Sequence, residues 1–520
     1  GGETPAAPAG KTIKIIYTND VHTYIDNDKA KDKDGNLKTN ALTYAHVAAL
    51  KKDLEGAGND VLLVDAGDHI QGTAYGGMDQ GAAIMSLMSA AGYDVATLGN
   101  HEFDYGMKRA LAVSDSENNG GIPYVSCNFY RVNPDGTRGD LVLSPYMVRT
   151  LSNGVKVAFV GITTPESFTK STPKYFQDEN GNYIYGISGG ADGKALYADV
   201  QAAIDKAKAD GADYVIALGH LGVDPSSSPW TSKDVIANTT GLDAFIDGHS
   251  HTPMEKSVVK DKGGNDVILT QTGSYLKNVG VLTIDADGNI DTELLSEYGN
   301  VNTTVQAIQD NWMNQVDGKL GEVIAESEID FRINDADGKR LIRKQETNLG
   351  DLNADAYYWY INNSGIDCDV AIMNGGGIRA DVNAGEWSYK TCKTVNTFGN
   401  VLCAMKVTGQ QILDALEWGA RVTGVTPDAE NGGFLHVAGL TYKINTAIKS
   451  TVQMDEKNVW TGGPTGQYRV YDVKVFNKAT GAYEALVLDK IYTLGGSNYT
   501  LRNLGDGFAM FAGATLVLDG

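Results

Sequence analysis

Five short apolar runs in the first 250 residues each end in side chains that can hold a metal or a proton. That pattern restricts the fold more than any other feature of the chain. Residues 11–17 (KTIKIIY) lead to Asp20 and His22, and residues 60–64 (DVLLV) lead to Asp68. Residues 93–98 (YDVATL) lead to Asn100 and His101, residues 213–218 (DYVIAL) to His220, and residues 242–246 (LDAFI) to His249 and His251. Runs of this length are strand-sized, and helical periodicity in residues 41–55, 81–91 and 195–210 alternates with them. Strands alternating with helices predict an α/β fold, in which functional groups gather beyond the carboxyl ends of the strands. Of the 8 histidines, five fall at these ends. His46, His69 and His436 fall elsewhere and read as ordinary.

The donors are carboxylate, imidazole and amide oxygen without thiolate, a set suited to Zn, Mn, Fe or Co. They are too many for one four-coordinate ion, and two ions need a bridging ligand. A carboxylate offers two oxygens, and Gly67 lets the chain turn sharply at Asp68, so Asp68 is the candidate bridge. In the segment LGNHEFD (98–104), His101 can hold or give a proton near neutral pH, and Asp104 can fix its tautomer. Each residue also has a plainer use. Asn100 could cap a helix whose first turn holds Glu102, and His220 could be a core histidine bonded to a carbonyl. His249 and His251 alternate, which on an extended strand would put both on one face.

Lys+Arg 43 against Asp+Glu 65 gives a net charge of −22. Such a surface argues against a nucleic-acid polymer or an anionic membrane as partner, and an anionic ligand would need local cations. No run reaches the roughly 18 apolar residues of a membrane span. Residues 1–10 (GGETPAAPAG) read as a flexible linker, which suits an extracytoplasmic protein, periplasmic, secreted or surface-tethered through its N-terminus. Cys127 and Cys403 lie in apolar runs and read as buried thiols, and Cys368 and Cys392 are read as not pairing. Oligomeric state is not legible.

Residues 302–320 carry a helical stripe ending at Gly321 and read as a bridge between domains. Beyond it the chain turns rich in Gly, Asn, Thr and Tyr, which places a boundary near residue 320. There Gly375-Gly376-Gly377 lets backbone approach a ligand, Arg379 can fork onto phosphate, and Phe398 and Tyr499 are aromatics where no core requires them. Asp506, between two glycines, could accept from sugar hydroxyls or cap a turn.

The blocks TNDVH, GD, GNHEFD, GH and GHSHT, in that order, resemble the calcineurin-like metallophosphoesterases. RKQETNLGD, MNGGGIR, TFGN and the segment from LGGSNY to GDGF resemble the C-terminal domain of the 5′-nucleotidase family. The resemblance covers nearly all of residues 11–515. It implies a four-layer αββα sandwich (11–300), a linker helix (301–320) and a smaller α/β substrate-binding domain (321–520), with rotation between the two. It implies one metal on Asp20, His22, Asp68 and His251, and a second on Asp68, Asn100, His220 and His249. His101 and Asp104 would form the catalytic pair. Phe398 and Tyr499 would stack a base, Asn374 would contact the nucleoside, Asp506 the ribose, and Arg379 the phosphate. Thr23 stands where the family usually has Gly, implying a slightly different loop path. Tyr499 stands where members often have Phe, with an extra residue before the GDGF block. Gln345 stands where some members have a phosphate-binding Arg, and Arg343 is the candidate substitute. The implied activity is a dimetal 5′-nucleotidase, with nucleoside di- and triphosphates or UDP-sugars as further substrates. A 2′,3′-cyclic-nucleotide 2′-phosphodiesterase/3′-nucleotidase is the alternative, and a non-catalytic surface binding protein a third reading.

Overall fold

A computed structural model of the protein describes residues 11–32 and 34–519, so the segment read as an N-terminal linker lies outside the described residues. The chain forms two compact units. One holds the described residues up to Phe168 together with Lys174–Lys319, and the other holds Thr169–Pro173 together with the chain from Leu320 onward.

The first unit is built on two sheets. In the first, the order is Ile290–Leu295, Val279–Ile284, Ile13–Thr18, Asp60–Asp65, Val95–Ala96. The last three strands run parallel, and the first two pair antiparallel. The second sheet runs Pro253–Lys260, Asp266–Thr272, Ala244–Ile246, Tyr214–Gly219, Lys156–Ile162, Tyr146–Thr150, with four parallel central strands and an antiparallel strand on each edge. Ile13, Ile15, Tyr17, Leu62 and Val64 face Val157, Phe159, Ile216, Leu218 and Ile246 across one buried core. Each such side chain contributes about 1.5–3 kcal/mol by leaving water. The Tyr17 hydroxyl bonds the Thr270 hydroxyl across it at 2.5 Å.

Helices close both outer faces. Tyr44–Gly56 packs on the first sheet beside Ala82–Ala91, while Lys194–Ala209 and Ser232–Ala237 cover the second. The result is the four-layer αββα sandwich expected from the sequence. Thr43 caps Tyr44–Gly56, and His46 completes the capping box through its Nδ1, 3.2 Å from the Thr43 nitrogen. The helix Thr303–Leu320 packs within this unit: Trp312 Nε1 donates to the Tyr75 carbonyl at 2.8 Å, and the Tyr75 hydroxyl donates to Asp317 at 2.9 Å. Its buried face is Val305, Gln309, Met313 and Val316.

The second unit centres on a mixed sheet ordered Leu435–Ala438, Val370–Asn374, Ile491–Ser497, Leu402–Thr408, Thr515–Asp519. Helix Asn348–Asn362 covers one face, and helix Gly409–Gly419 packs its Ile412, Ala415, Leu416 and Trp418 into the core on the other. Among the described residues no helix is long and apolar enough to cross a membrane, and no disulfide joins the four cysteines.

Near the start of helix Asn348–Asn362, burial together with the neighbouring Glu346 and Asp355 pushes the Asp351 carboxyl up to about 7. A carboxyl raised in the folded state costs stability once pH rises past its unfolded value, and the cost is complete above the folded value. Asp351→Asn is therefore expected to match the wild type as pH falls toward 4. At pH 8 it gains about 1 kcal/mol after allowance for solvent screening of a half-exposed group, read by urea unfolding at the two pH values.

Candidate metal centre and active site

All five strand ends converge at the carboxyl edge of the first unit. Asp20, His22 and His251 form one cluster of metal-capable atoms, and Asp68, His220 and His249 form another. Asp20 Oδ1 is fully buried and accepts no hydrogen bond, yet three imidazole Nε2 atoms surround it: His251 at 3.3 Å, His220 at 3.7 Å and His22 at 3.8 Å. Asp68 Oδ2 lies 3.0 Å from His220 Nε2 and 3.5 Å from His22 Nε2, so its carboxylate joins the two clusters. A buried carboxylate oxygen without a proton donor is costly unless a cation faces it. The donor set of carboxylates and imidazoles therefore fits divalent ions.

The electrostatics agree. Burial raises the Asp20 carboxyl well above the usual range, and Asp68 adds to the shift. Burial also acts upward on Asp68, but His220, His101 and His22 outweigh it and hold that carboxyl well below the usual range. His220 is pulled down by burial and pushed well above its ordinary value by Asp68 and Asp20. Its Nδ1 is 2.7 Å from the Ala66 carbonyl, which fixes the ring and aims Nε2 at the carboxylates. His22 is held in the same way by its Nδ1 on the Gln71 carbonyl at 2.7 Å.

Much of the ligand shell sits in left-handed backbone. Asp20, His22, Thr23, Asp68, His249 and His251 have φ of 51°, 49°, 62°, 59°, 76° and 54°. Such residues are strained and persist only where surrounding structure holds them. Thr23, at the position where a glycine was expected, is secured by its hydroxyl 2.7 Å from that of Thr73 and by the Thr73 N–H at 2.8 Å. The positive φ values correct one expectation. His249 and His251 do not share a face of an extended strand; the strand ends at Ile246, and the bends beyond it send one histidine to each cluster.

LGNHEFD forms a 3₁₀ turn, Asn100–Phe103, seated against the Asp68 loop. The His101 N–H donates to Asp68 Oδ1 at 2.8 Å, and His101 Nδ1 is 2.6 Å from Asp104 Oδ2. The His101 ring meets that of His22 edge-on, centroids 5.4 Å apart. Asn100 is buried in the same turn. The two loops touch so closely that a Cβ on Gly67 would lie 2.5 Å from the Gly99 nitrogen, and one on Gly99 would lie 2.2 Å from Asp68 Oδ1.

Glu102, read from sequence as a first-turn acid of no special role, is what holds these loops together. Its buried carboxylate accepts the backbone N–H groups of Asp68 (2.8 Å), His69 (2.7 Å), Ile70 (3.3 Å) and Gly99 (2.5 Å). His69, read as ordinary, lies behind the site between Asp65 Oδ1 (2.7 Å) and the Tyr124 hydroxyl (2.6 Å). Burial acts downward on His69, but Glu102 and Asp65 raise it to about 9. Removing the acceptor strands several buried donors at once. Glu102→Ala is expected to cost the metal-free protein about 3–5 kcal/mol in urea unfolding, the range for breaking a buried charge pair. Sequence reasoning missed this role because an i+2 position in a turn carries no signal of what its side chain meets.

In the second unit, Asn374, Arg379 and Asp506 are buried, and Phe398 and Tyr499 are half-buried. Asn374 Nδ2 donates to Asp506 Oδ2 at 3.3 Å. The Arg379 guanidinium lies 5.8 Å from the centre of the Phe398 ring, and its Nη1 donates to the Gly376 carbonyl at 3.4 Å. Arg343 passes the same glycine loop, its Cα 3.4 Å from where a Gly375 Cβ would be. The Tyr499 hydroxyl donates to the Thr169 carbonyl at 2.9 Å, and Lys170 Nζ lies 3.6 Å from Asp506 Oδ1. Sequence reasoning did not single out Lys170.

Comparison with known proteins agrees with this geometry. Residues 13–253 match the calcineurin-like phosphoesterase family, and residues 323–513 match the 5′-nucleotidase C-terminal domain. The chain is 26% identical over 541 residues to the trifunctional nucleotide phosphoesterase YfkN of Bacillus subtilis, covering 97% of this chain but 32% of that protein. It is 27% identical over 550 residues to the 5′-nucleotidase of Homo sapiens, covering 97% of this chain and 85% of that protein. The crystal structure of a 5′-nucleotidase precursor from Thermus thermophilus superposes with a TM-score of 0.79 at 26% identity, over 97% of this chain and 93% of that one. The chain belongs to the 5′-nucleotidase family, joining a calcineurin-like phosphoesterase domain to a 5′-nucleotidase C-terminal domain, and is a phosphoric monoester hydrolase.

Proposed function

We propose that this protein removes phosphate from nucleoside 5′-phosphates, using two divalent ions held in the first unit and a nucleotide bound by side chains of the second. The observation that carries the reading is Asp68, whose one carboxylate serves both clusters beside His101. Asp20, His22, Asp68 and His251 would hold one ion, and Asp68, Asn100, His220 and His249 the other. Zn, Mn, Fe or Co suits these donors. Bound ions supply Lewis-acid polarisation of the phosphoryl group and a nucleophilic water of lowered pKa.

The chain's own groups do the rest. Asp104 accepts the hydrogen bond of His101 Nδ1 and fixes the ring, so that Nε2 can steady phosphoryl oxygen and deliver a proton to the departing nucleoside oxygen. Arg379 forks onto phosphate with Arg343 nearby. Phe398 and Tyr499 offer faces for a base, Asn374 a contact to the nucleoside, and Asp506 acceptors for ribose hydroxyls. An extracytoplasmic location suits this reading, and the Thermus thermophilus relative is a 5′-nucleotidase precursor.

The test is phosphate release from AMP, ADP, UDP-glucose and 2′,3′-cyclic AMP by protein loaded with Mn²⁺ or Zn²⁺. Turnover of AMP, abolished by EDTA and restored by metal, is the expected result. Turnover confined to cyclic AMP would replace the reading with the cyclic phosphodiesterase, and no turnover of any substrate would overturn the enzyme assignment.

A further inference from the structure

Four strands of the second sheet run parallel, and two of their carboxyl ends supply cluster ligands: Tyr214–Gly219 gives His220, and Ala244–Ile246 gives His249 and His251. Their neighbour Lys156–Ile162 carries no ligand in the sequence reading. Its end runs through Thr163, Thr164 and Pro165 to Glu166, whose side chain is buried and whose Oε1 lies 3.2 Å from His249 Nε2.

We propose that Glu166 is a positioning residue for the second metal cluster, acting through His249. A carboxylate only accepts hydrogen bonds, so the proton of this contact belongs to His249 Nε2. A neutral imidazole with its hydrogen on Nε2 carries its lone pair on Nδ1. Glu166 therefore selects the tautomer in which Nδ1 keeps the lone pair that an ion shared with Asp68 and His220 would take, and it makes that nitrogen more basic. The remaining geometry needs this support. His249 sits at φ 76°, its ring reaching solvent at 13% side-chain exposure, where His220 is fully buried. The His249 N–H is tied to Asp20 Oδ2 at 2.9 Å, which fixes the backbone but not the ring. The Glu166 backbone is fixed beside that ring by its N–H, which donates to the Thr164 hydroxyl at 3.1 Å, and its side chain is buried. His22 and His220 rest on backbone carbonyls, whereas His249 rests on a charged group that one substitution can change.

The inference rests on the metal reading of the two clusters, and Mn²⁺ binding by calorimetry and electron paramagnetic resonance separates the two. Wild-type protein should bind two ions. Glu166→Ala should weaken one site about 10–100-fold and leave the other unchanged, with the metal-free Tm close to wild type. Glu166→Gln, whose amide oxygen still accepts the Nε2 proton, should fall between. Two unchanged sites in Glu166→Ala would overturn the inference alone. So would loss of a whole ion in Glu166→Gln to the extent seen in His249→Ala, because Glu166 would then be a ligand. Equal weakening of both sites with a collapsed metal-free Tm would overturn it as a general folding effect. Wild-type protein that binds no Mn²⁺ would overturn the metal reading and this inference with it.

Discussion

His101→Ala lowers kcat for AMP by about 10²–10⁴-fold, the range for losing a positioned acid, while both metals stay bound. The two effects separate because His101 belongs to neither cluster. Its Nδ1 is committed to Asp104 at 2.6 Å, so Nε2 is the nitrogen that would meet a substrate. Its link to the metal bridge runs through backbone, the N–H to Asp68 Oδ1, which alanine preserves. Substrates with better leaving groups need less help with the proton, so the loss should shrink on p-nitrophenyl phosphate relative to AMP. Asp104→Asn should reproduce part of the loss: it keeps the shape but weakens the acceptor that holds the His101 ring. Mn²⁺ titration and steady-state kinetics on the two substrates check this. A His101→Ala protein that loses metal as well as turnover would move His101 from proton donor to structural support.

The part of the site made of strand ends was legible because a buried strand announces itself by composition and its end by the first polar residues after it. Asp20, His22, Asp68, His220 and the 249–251 pair all follow apolar runs, and the sheet order then brings those ends together. What is held by side chains reaching across from another loop was not legible. Glu102 and Glu166 look like ordinary acids in sequence, and their roles exist only because the Asp68 loop and the His249 ring lie beside them. The left-handed bends were missed for a related reason. An Asp or His at positive φ is not favoured by its own propensity; the packing around it imposes the conformation, so no local signal marks it. That is also why His249 and His251, two residues apart, read as one face of a strand and serve two clusters. In the second unit the residues were found as motifs, while Lys170 lies far away in sequence and within 3.6 Å of Asp506 in space.

Asp68→Asn is expected to remove more activity than any outer contact, at least about 100-fold beyond the roughly 10–100-fold typical of groups that only orient ligands. The asparagine fills the same volume, and its oxygen can still accept the His101 N–H, so the loop should fold. What disappears is the negative charge that His22 and His220 face at 3.5 and 3.0 Å, and with it the ability of one side chain to serve both clusters. Removing that charge also relieves Asp20, whose carboxyl Asp68 pushes upward. Against that relief, His220, His101 and His22 lose the carboxylate they hold low, so the metal-free Tm of Asp68→Asn should fall below wild type. The decisive difference is the response to added metal. A ligand at 100 times its Kd stabilises the folded state by about 2.7 kcal/mol, an increment the wild type and His101→Ala should show and Asp68→Asn should largely lose. Thermal unfolding of the three proteins in EDTA and in excess Mn²⁺ measures it. An Asp68→Asn protein with an undiminished metal-dependent rise in Tm would mean that the clusters bind independently and that Asp68 does not bridge them.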